Sequence, residues 1–549
     1  MPVRLLINSK EATNPKKGTN IFEAAEEIDI RVPSSCRKQG KCRECLVEVI
    51  QGEDLLSPRT FEEEHLKGSF RLSCRAHIAG ESGIVRCHTM RSGTMQMEDS
   101  AIDLPGNING KRLLVPAVTR DGDRILLDGD EIAVSSEPIH GIAMDLGTTT
   151  IVVRLLNLET GELIATSSFE NPQRFGGSDV MSRIQYDTDH PDKLLQKTLL
   201  GYLTRAIKDL PVDPKTIYEL VVAGNLTMRD IFFGLNVYSI GQKPYRSQTE
   251  LDVEEGKETS TSYHLKAKEL RIPIHPKARI YGTPLISGHV GADASVNMLA
   301  IDLANEEKTI VLMDIGTNTE IIIGNKDKIM AASCPAGPAF EGGAITCGMP
   351  GLDGAIDTVS IDPSTGKADF HVIGDRRAQG ICGSGLIDIL SELRKTELIN
   401  ELGRFEEIKN PYDIDKENGI SFSESDINEL AQAKGANVAG LQIVFKNYGL
   451  SLEDIDVSYL AGGFGRYINI DAAKQIGLIP NLPTEKILQV GNAAIEGATI
   501  ALLSISRRKH LEEMVKNIEH IELETDPDFF DYFVDGCQFL PFDSTEFSS

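Results

Sequence analysis

One heptapeptide, used twice, constrains this chain more than any other feature. Met144-Asp145-Leu146-Gly147-Thr148-Thr149-Thr150 recurs as Met313-Asp314-Ile315-Gly316-Thr317-Asn318-Thr319, with five of seven positions identical and 169 residues between the copies. Each copy follows an apolar run and precedes another, Ile151-Val152-Val153 or Glu320-Ile321-Ile322-Ile323, so each reads as the turn of a β-hairpin. The spacing is far longer than a solenoid unit and points to two related lobes. From Gly141 onward, buried-type strands alternate with amphipathic helices, the pattern of layered α/β architecture. A chain of 549 residues is too long for a single core, so several domains are expected.

The turns have a direct chemical reading. Glycine lets backbone N–H groups approach phosphate oxygens, and Thr and Asn side chains add donors. An Asp at a strand end holds Mg²⁺, usually through water, because that ion dehydrates reluctantly. Asp145, Gly147, Thr148 and Thr149 are therefore expected to face Asp314, Gly316, Thr317 and Asn318 across a triphosphate, clamping ATP and Mg²⁺ from two sides. Further glycine-rich turns follow in order. Val221-Val222-Ala223-Gly224-Asn225-Leu226-Thr227 ends a strand in the first half, and Tyr459-Leu460-Ala461-Gly462-Gly463-Phe464-Gly465 ends one in the second. Flat Gly-Gly backbone admits a planar base or ribose, which makes Gly462 and Gly463 the adenosine side. Gly383 and Ser384 precede the apolar helix Leu386–Leu393 and are expected near its phosphate-attracting N-terminus. Glu341 in a third glycine-rich turn, Asn225 and Glu320 are the candidates to orient the attacking water. Taken singly, each of these is an ordinary tight turn of a large α/β domain; the duplicated pair and the order of the rest carry the reading.

The first 95 residues differ in kind, with short strands (Val3–Ile7, Leu46–Ile50) around one helix beginning after Asn20. Cys36-x5-Cys42-x2-Cys45 followed by Cys74 offers three thiolates from one tight loop and a fourth from a distant strand. That is the ligand arrangement of a 2Fe–2S centre with two sulfurs on each iron. The first spacing is one residue longer than in plant-type ferredoxins, as in adrenodoxin-like ones. A zinc site from the same four cysteines is the alternative, although zinc usually takes two close C-x2-C pairs. Arg37, Lys38, Lys41 and Arg43 form a basic collar suited to an acidic electron partner, or simply a solvated loop. Cys87, in an apolar strand, is expected to pack rather than ligate. Residues 96–139 carry four Gly-containing turn signals and read as a linker or small β module.

Acidic residues outnumber basic ones 82 to 56, a net charge of −26 that disfavours nucleic acid and anionic membranes as partners. No signal peptide and no run of 18 apolar residues is found, so no membrane span and a cytoplasmic location are expected. Nine cysteines, an odd number, argue against a disulfide framework.

In this order the motifs resemble the ASKHA superfamily of sugar kinases, heat-shock ATPases and actin over residues 141–505. Asp145–Thr150 looks like its first phosphate motif, Asp314–Thr319 its second and Gly462–Phe464 its adenosine motif. Gly224 and the helix after Gly491-Asn492 look like its two connecting segments. Joined to an N-terminal ferredoxin, the whole resembles the reductive activators of corrinoid enzymes. Asn171-Pro172-Gln173-Arg174-Phe175-Gly176, Asp179-Val180-Met181-Ser182-Arg183-Ile184 and Gly337-Pro338-Ala339-Phe340-Glu341-Gly342-Gly343 match that family too. The resemblance implies an α/β multidomain fold: a β-grasp 2Fe–2S ferredoxin domain (1–95), the linker (96–139) and a two-lobed, actin-like, RNase H-like ATPase domain (140–549, lobes near 140–305 and 306–549). It implies catalytic roles for Asp145, Asp314, Glu341 and Asn225. It also implies cluster ligation by Cys36, Cys42, Cys45 and Cys74, and nucleotide contacts that include Phe464. The implied activity is ATP-driven passage of one low-potential electron to a corrinoid protein, Co(II) becoming Co(I), from a separate low-potential donor, with a homodimer as one allowed assembly. An activator of a radical dehydratase or aryl-CoA reductase, with Cys334 and Cys382 at a shared cluster, is one rival. A redox-sensing small-molecule kinase is another.

Overall fold

The computed structural model describes residues 3–8, 10–12, 15–90, 92–93, 104, 114–406, 409–463 and 465–543. The N-terminal module is a mixed five-stranded sheet in the order β2-β1-β5-β3-β4. Its elements are β1 (Val3–Ile7), β2 (Lys10–Glu11), α1 (Ile21–Glu27), β3 (Leu46–Gln51), β4 (Phe70–Leu72) and β5 (Gly83–Thr89). β1 and β5 run parallel while β3 pairs antiparallel with β5, so the sheet curls around α1 in a β-grasp. The helix starts where the Asn20 side chain accepts from the Glu23 N–H, and Ile21, Phe22, Ala24 and Ala25 point into the sheet. Cys87 is buried within β5.

The chain then adds β6 (Ser92–Gly93) to the edge of the next sheet, beside Ser168 and Phe169. A three-stranded meander follows, β7 (Val118–Asp121), β8 (Arg124–Leu127) and β9 (Asp130–Val134). Its two tight turns use Gly122 and Gly129 at positive φ, where Asp-Gly pairs were expected. The turn signals at Pro105-Gly106 and Asn109-Gly110 lie outside the described residues.

Lobe I comprises β10 (His140–Leu146), β11 (Thr150–Asn157), β12 (Leu163–Glu170), α2 (Val180–Asp189), α3 (Leu194–Lys208), β13 (Ile217–Gly224), α4 (Leu226–Phe233), α5 (Gln248–Glu254), β14 (Tyr263–Lys266), α6 (Ala267–Leu270), β15 (Arg279–Gly282) and α7 (Ala292–Ala300). Lobe II opens with β16 (Ile310–Ile315), β17 (Thr319–Gly324) and β18 (Ile329–Cys334), followed by β19 (Ala355–Ile361), β20 (Ala368–Val372), β21 (Gly380–Ile381) and α8 (Gly383–Lys395). The chain continues through β22 (Tyr412–Asp415), β23 (Ile420–Phe422), α9 (Glu424–Tyr448), β24 (Val457–Ala461), α10 (Ile470–Gln475) and β25 (Ile487–Gly491) of lobe II, then α11 (Ala493–Leu503) and α12 (Ile505–Met514), which pack on lobe I, and ends with β26 (Glu519–His520) and α13 (Phe529–Gly536) back on lobe II.

The two lobe sheets repeat one plan. In each, a central strand pairs antiparallel with the next strand, which pairs antiparallel with the one after it, and the central strand pairs parallel with a later one: β13-β10-β11-β12 in lobe I and β24-β16-β17-β18 in lobe II. The heptapeptide copies are the β10–β11 and β16–β17 turns. Gly224 and Gly462 occupy matching places. A Cβ on Gly224 would lie 2.7 Å from the Leu146 carbonyl oxygen, and one on Gly462 2.6 Å from that of Ile315. Only glycine lets these strand ends press against the residue that opens each turn.

The chain crosses between lobes on α7 and α11. α7 feeds β16, and α11 returns after β25 to pack on β10 and β13. The first crossing is thus α7, not the stretch at Gly224, which stays within lobe I as the end of β13. The helices touch so closely that a Cβ on Gly497 would lie 1.9 Å from the Val296 carbonyl oxygen. A buried Arg154–Glu496 pair at 2.6 Å ties α11 to β11. No helix among the described residues is long and apolar enough to cross a membrane.

Candidate functional sites: the four-cysteine loop and the interlobe cleft

The loop from Val32 to Cys45 has positive φ at Arg37, Lys38, Gly40 and Arg43. That winding turns backbone N–H groups toward the sulfurs. The N–H groups of Gln39, Lys41 and Cys42 donate to Cys36, and that of Gly40 donates to Cys74. The thiols fall into two pairs. Cys36 and Cys42 are hydrogen-bonded to each other, and the Cys45 and Cys74 sulfurs lie 3.4 Å apart. Cys45 and Cys74 are buried, whereas Cys36 and Cys42 are half-exposed. Among the described residues no three His, Cys, Asp or Glu side chains converge as a single ion requires. Two thiol pairs wrapped in N–H donors fit a two-iron cluster with two sulfurs per iron better than one tetrahedral zinc. Lys38 pairs with Glu26 at 2.7 Å and Arg43 with Asp192 at 3.4 Å, while Arg37 and Lys41 point to solvent.

Between the lobes lies a cleft of about 190 Å³ floored by both heptapeptide turns. Asp145, Gly147, Thr148, Thr149 and Asn225 line it from lobe I, and Asp314, Gly316, Thr317, Asn318, Glu341, Gly383, Gly462 and Gly463 from lobe II. Asn225 caps α4 and donates to the Thr148 hydroxyl at 2.8 Å. Glu341 accepts from Thr149 at 3.0 Å and from Thr317 at 2.5 Å, so one carboxylate spans both turns. Ser384 is not on the cleft wall; its hydroxyl lies 3.4 Å from the Cys382 sulfur at the start of α8. Phe464 lies outside the described residues.

Several cleft residues were not singled out from sequence. Asn492, the N-cap of α11, donates to Asp145 at 2.7 Å, and Asn297 of α7 donates to Asp314 at 2.6 Å. Each crossing helix thus holds the aspartate of one turn. Asp293, one turn before Asn297 on α7, also lines the cleft, and that i,i+4 polar pair in an apolar run was the available signal. Burial pushes Asp145 up to about 7 against the pull of the Asn492 amide, with a smaller push from Asp314. Burial likewise raises Asp293 to about 7, with the Asp314 charge adding to it. Asp314, Glu320 and Glu341 are raised too, burial first in each case. Buried carboxylates this close disfavour one another's ionised forms; among the described residues no three of them converge as direct ligands, so the oxygens of Asp145 and Asp314 suit a hard ion held through its waters. The cysteines of lobe II are placed differently. Cys334 is buried where a Cβ on Gly440 would lie 2.1 Å from its sulfur, and the buried Cys382 thiol donates to the Ile356 carbonyl. Neither faces outward to share a cluster with another subunit.

Three family models tile the chain. Residues 308–549 match the C-terminal domain of RACo, the ASKHA domain; residues 140–306 match the RACo middle region; residues 5–79 match the 2Fe–2S iron–sulfur cluster binding domain. The cluster-binding and ATP-binding modules are therefore both present. The corrinoid activation enzyme RamQ of Eubacterium limosum is 29% identical, over 94% of this chain and 96% of that protein. A [Co(II) methylated amine-specific corrinoid protein] reductase of Methanosarcina barkeri is 26% identical, over 72% of this chain and 76% of its own. The solved structure of a reductive activator for corrinoid, iron–sulfur protein superposes with a TM-score of 0.70 at 27% identity, covering 98% of both chains. With its paired thiols, its bilobed cleft and these likenesses along its whole length, the chain belongs to the family of reductive activators of corrinoid enzymes.

Proposed function

We propose that this protein is an ATP-dependent reductive activator that passes one low-potential electron from its 2Fe–2S cluster to a corrinoid protein, converting inactive Co(II) to Co(I) for methyl transfer. The observation that carries this reading is structural: the cysteine module and lobe I share one continuous apolar core, so an electron site and a nucleotide cleft belong to a single body. Each ~59 mV of uphill potential costs roughly 1.4 kcal/mol per electron, so a gap of a few hundred millivolts lies within reach of ATP. When bound, the cluster supplies the one-electron chemistry that no side chain here provides. Cys36 and Cys42 would hold it from the half-exposed side and Cys45 and Cys74 from the buried side, and the loop N–H groups would stabilise the sulfur charge.

In the cleft, Asp145 and Asp314 would hold Mg²⁺ through its waters, and the ion would supply charge neutralisation for the phosphates of the substrate ATP. The N–H groups and hydroxyls of Gly147–Thr149 and Gly316–Asn318 bind the phosphate oxygens from opposite lobes, and Gly462 and Gly463 seat the adenosine. Glu341 orients the attacking water, aided by Asn225 through Thr148, while Gly383 directs the N-terminus of α8 at the phosphates. Lobe closure then changes the complex with the acceptor so that the electron is trapped there. The partners are a corrinoid protein and an acidic low-potential donor that meets Arg37 and Lys41, with no nucleic acid or membrane. The setting is the cytoplasm, and a homodimer is one allowed assembly.

Anaerobically purified protein is expected to hold about two irons and two sulfides per chain. Cys36→Ser, Cys42→Ser, Cys45→Ser or Cys74→Ser should each remove the S = 1/2 EPR signal of the reduced form, and Cys87→Ser should not. ATP turnover should rise when an oxidised corrinoid protein is added, with no phosphorylated sugar, carboxylate or polyol formed. Stoichiometric zinc, or rapid phosphorylation of a small molecule regardless of cluster state, would rule the reading out.

A further inference from the structure

One short stretch of lobe I touches both working parts of the molecule. Toward the cleft, the Asn171 side chain donates to the Gly147 carbonyl at 2.8 Å and its backbone N–H donates to that of Thr149 at 2.7 Å. Arg183, fully buried, donates to the Thr148 carbonyl at 2.7 Å. All three carbonyls of the first phosphate turn are therefore held by residues 171–183. On its other side the same stretch holds the ferredoxin module. The Lys67 N–H donates to the Phe175 carbonyl at 3.2 Å, and the Tyr186 hydroxyl donates to the His65 carbonyl at 2.7 Å. Arg174 lies 3.4 Å from Glu48 of that module and 5.9 Å from the centre of the Phe70 ring. The His65 and Phe175 rings meet edge to face at 5.7 Å.

We propose that residues 171–186 form a nucleotide-operated latch: a triphosphate seated on Gly147–Thr149 moves this stretch and loosens its grip on the 65–70 edge of the ferredoxin module, and its loss lets that contact re-form. The inference rests on the ATP-site reading above. Its direction follows from charge and connectivity. The Thr149 hydroxyl now donates to Glu341, and a γ-phosphate would take that donor and shift the turn whose carbonyls the stretch grips. Arg174 is divided between Glu48 of the ferredoxin module and Glu170 of lobe I at 3.8 Å. Its charge is also felt by Glu341 in the cleft. Several phosphate charges arriving there draw the guanidinium inward, away from Glu48. The module then loses an ion pair and the alignment of two hydrogen bonds together. A module held less tightly at this edge can shift its cluster loop toward an acceptor without leaving the apolar core it shares with lobe I. Arg174 acts here as a positioning residue, without contact to the reacting atoms.

The test is hydrogen–deuterium exchange on the full-length, cluster-loaded protein without nucleotide, with Mg·ADP and with Mg·AMPPNP. The peptide spanning residues 62–68, which contains the Lys67 amide, should exchange about tenfold faster with Mg·AMPPNP than in the other two states. Residues 145–150 should be protected by both nucleotides. In Arg174→Gln, and more weakly in Tyr186→Phe, the 62–68 peptide should exchange quickly in every state while the EPR signal persists. If wild-type 62–68 exchanges at one rate in all states while 145–150 is protected, the latch is wrong and the ATP site stands. If 145–150 gains no protection, the ATP-site reading falls and the latch with it. Slower exchange with Mg·AMPPNP would contradict the direction of release.

Discussion

Glu341 concentrates the chemistry of the cleft in one side chain. It accepts from a threonine of each phosphate turn, so its placement depends on the two lobes facing each other. Burial raises its carboxyl, but the Thr317 and Thr149 hydroxyls and the Arg174 and Arg183 charges work against that push and favour the ionised form that can orient a water. Glu341→Gln keeps the size and loses the charge. It should lower kcat for ATP hydrolysis about 10²-fold with little change in KM, and leave the cluster spectrum as in wild type. A steady-state ATPase assay beside an EPR spectrum decides it; full turnover in the variant would remove Glu341 from the mechanism. Much of this was legible in the sequence, because glycine-rich turns and strand-end aspartates announce themselves locally. What escaped were the asparagines that steady those aspartates. Asn492 lies 347 residues from Asp145, and its own neighbourhood looks like an ordinary helix cap. Nothing local marks a partner that far away.

Among the elements, the C-terminal helix α13 depends on an unusual contact. Lys434 of α9 is buried, and its ammonium donates to the carbonyls of Gly536 at 2.7 Å and Gln538 at 2.6 Å. Burial pushes its pKa down from the usual 10.5 to about 7, partly offset by nearby Cys537. The sign of the pH effect follows. Between pH 7 and 10.5 the unfolded chain holds this proton and the folded chain does not, so this residue's contribution to stability rises with pH across that window. Below pH 7 it is flat and at its lowest. The difference between pH 7 and pH 9 is on the order of 2 kcal/mol. Lys434→Met removes the titrating group, so its urea midpoint should depend less on pH than that of wild type by about that amount. Parallel curves for the two proteins would show that Lys434 keeps an ordinary pKa. Elements were also where the sequence misled. α7, with eight of its nine residues buried, reads as an ordinary core helix, so the crossing it makes between lobes was assigned to the glycine at the end of β13. Burial on every side hides direction. Only the placement of β16 beyond it reveals that the chain has changed lobes.

At the scale of the whole molecule, the duplicated turn and the four cysteines announced two machines, and the family models, a 29%-identical relative and a solved structure agree along the full length. Their junction was not legible. Beside the shared apolar core, the docking of ferredoxin on lobe I uses single polar contacts, such as Tyr202 donating to the Glu44 carbonyl at 2.6 Å and Arg43 beside Asp192. Such residues look like ordinary surface positions until the fold brings them together. The central claim is that ATP drives the electron, and Asp314 tests it. Asp314 sits in the cleft, held by Asn297 and remote in sequence from every cysteine of the loop. The measurement is the optical reduction of a Co(II) corrinoid protein by the activator, with and without Mg·ATP, in wild type and in Asp314→Asn. A strong chemical reductant such as titanium(III) should reduce the cluster equally in both proteins. Wild type with Mg·ATP should carry the acceptor through to Co(I), whereas Asp314→Asn, or wild type without nucleotide, should stop at the reduced cluster. If the variant lacking ATPase activity reduces the acceptor as far and as fast as wild type, ATP does not drive electrons in this protein.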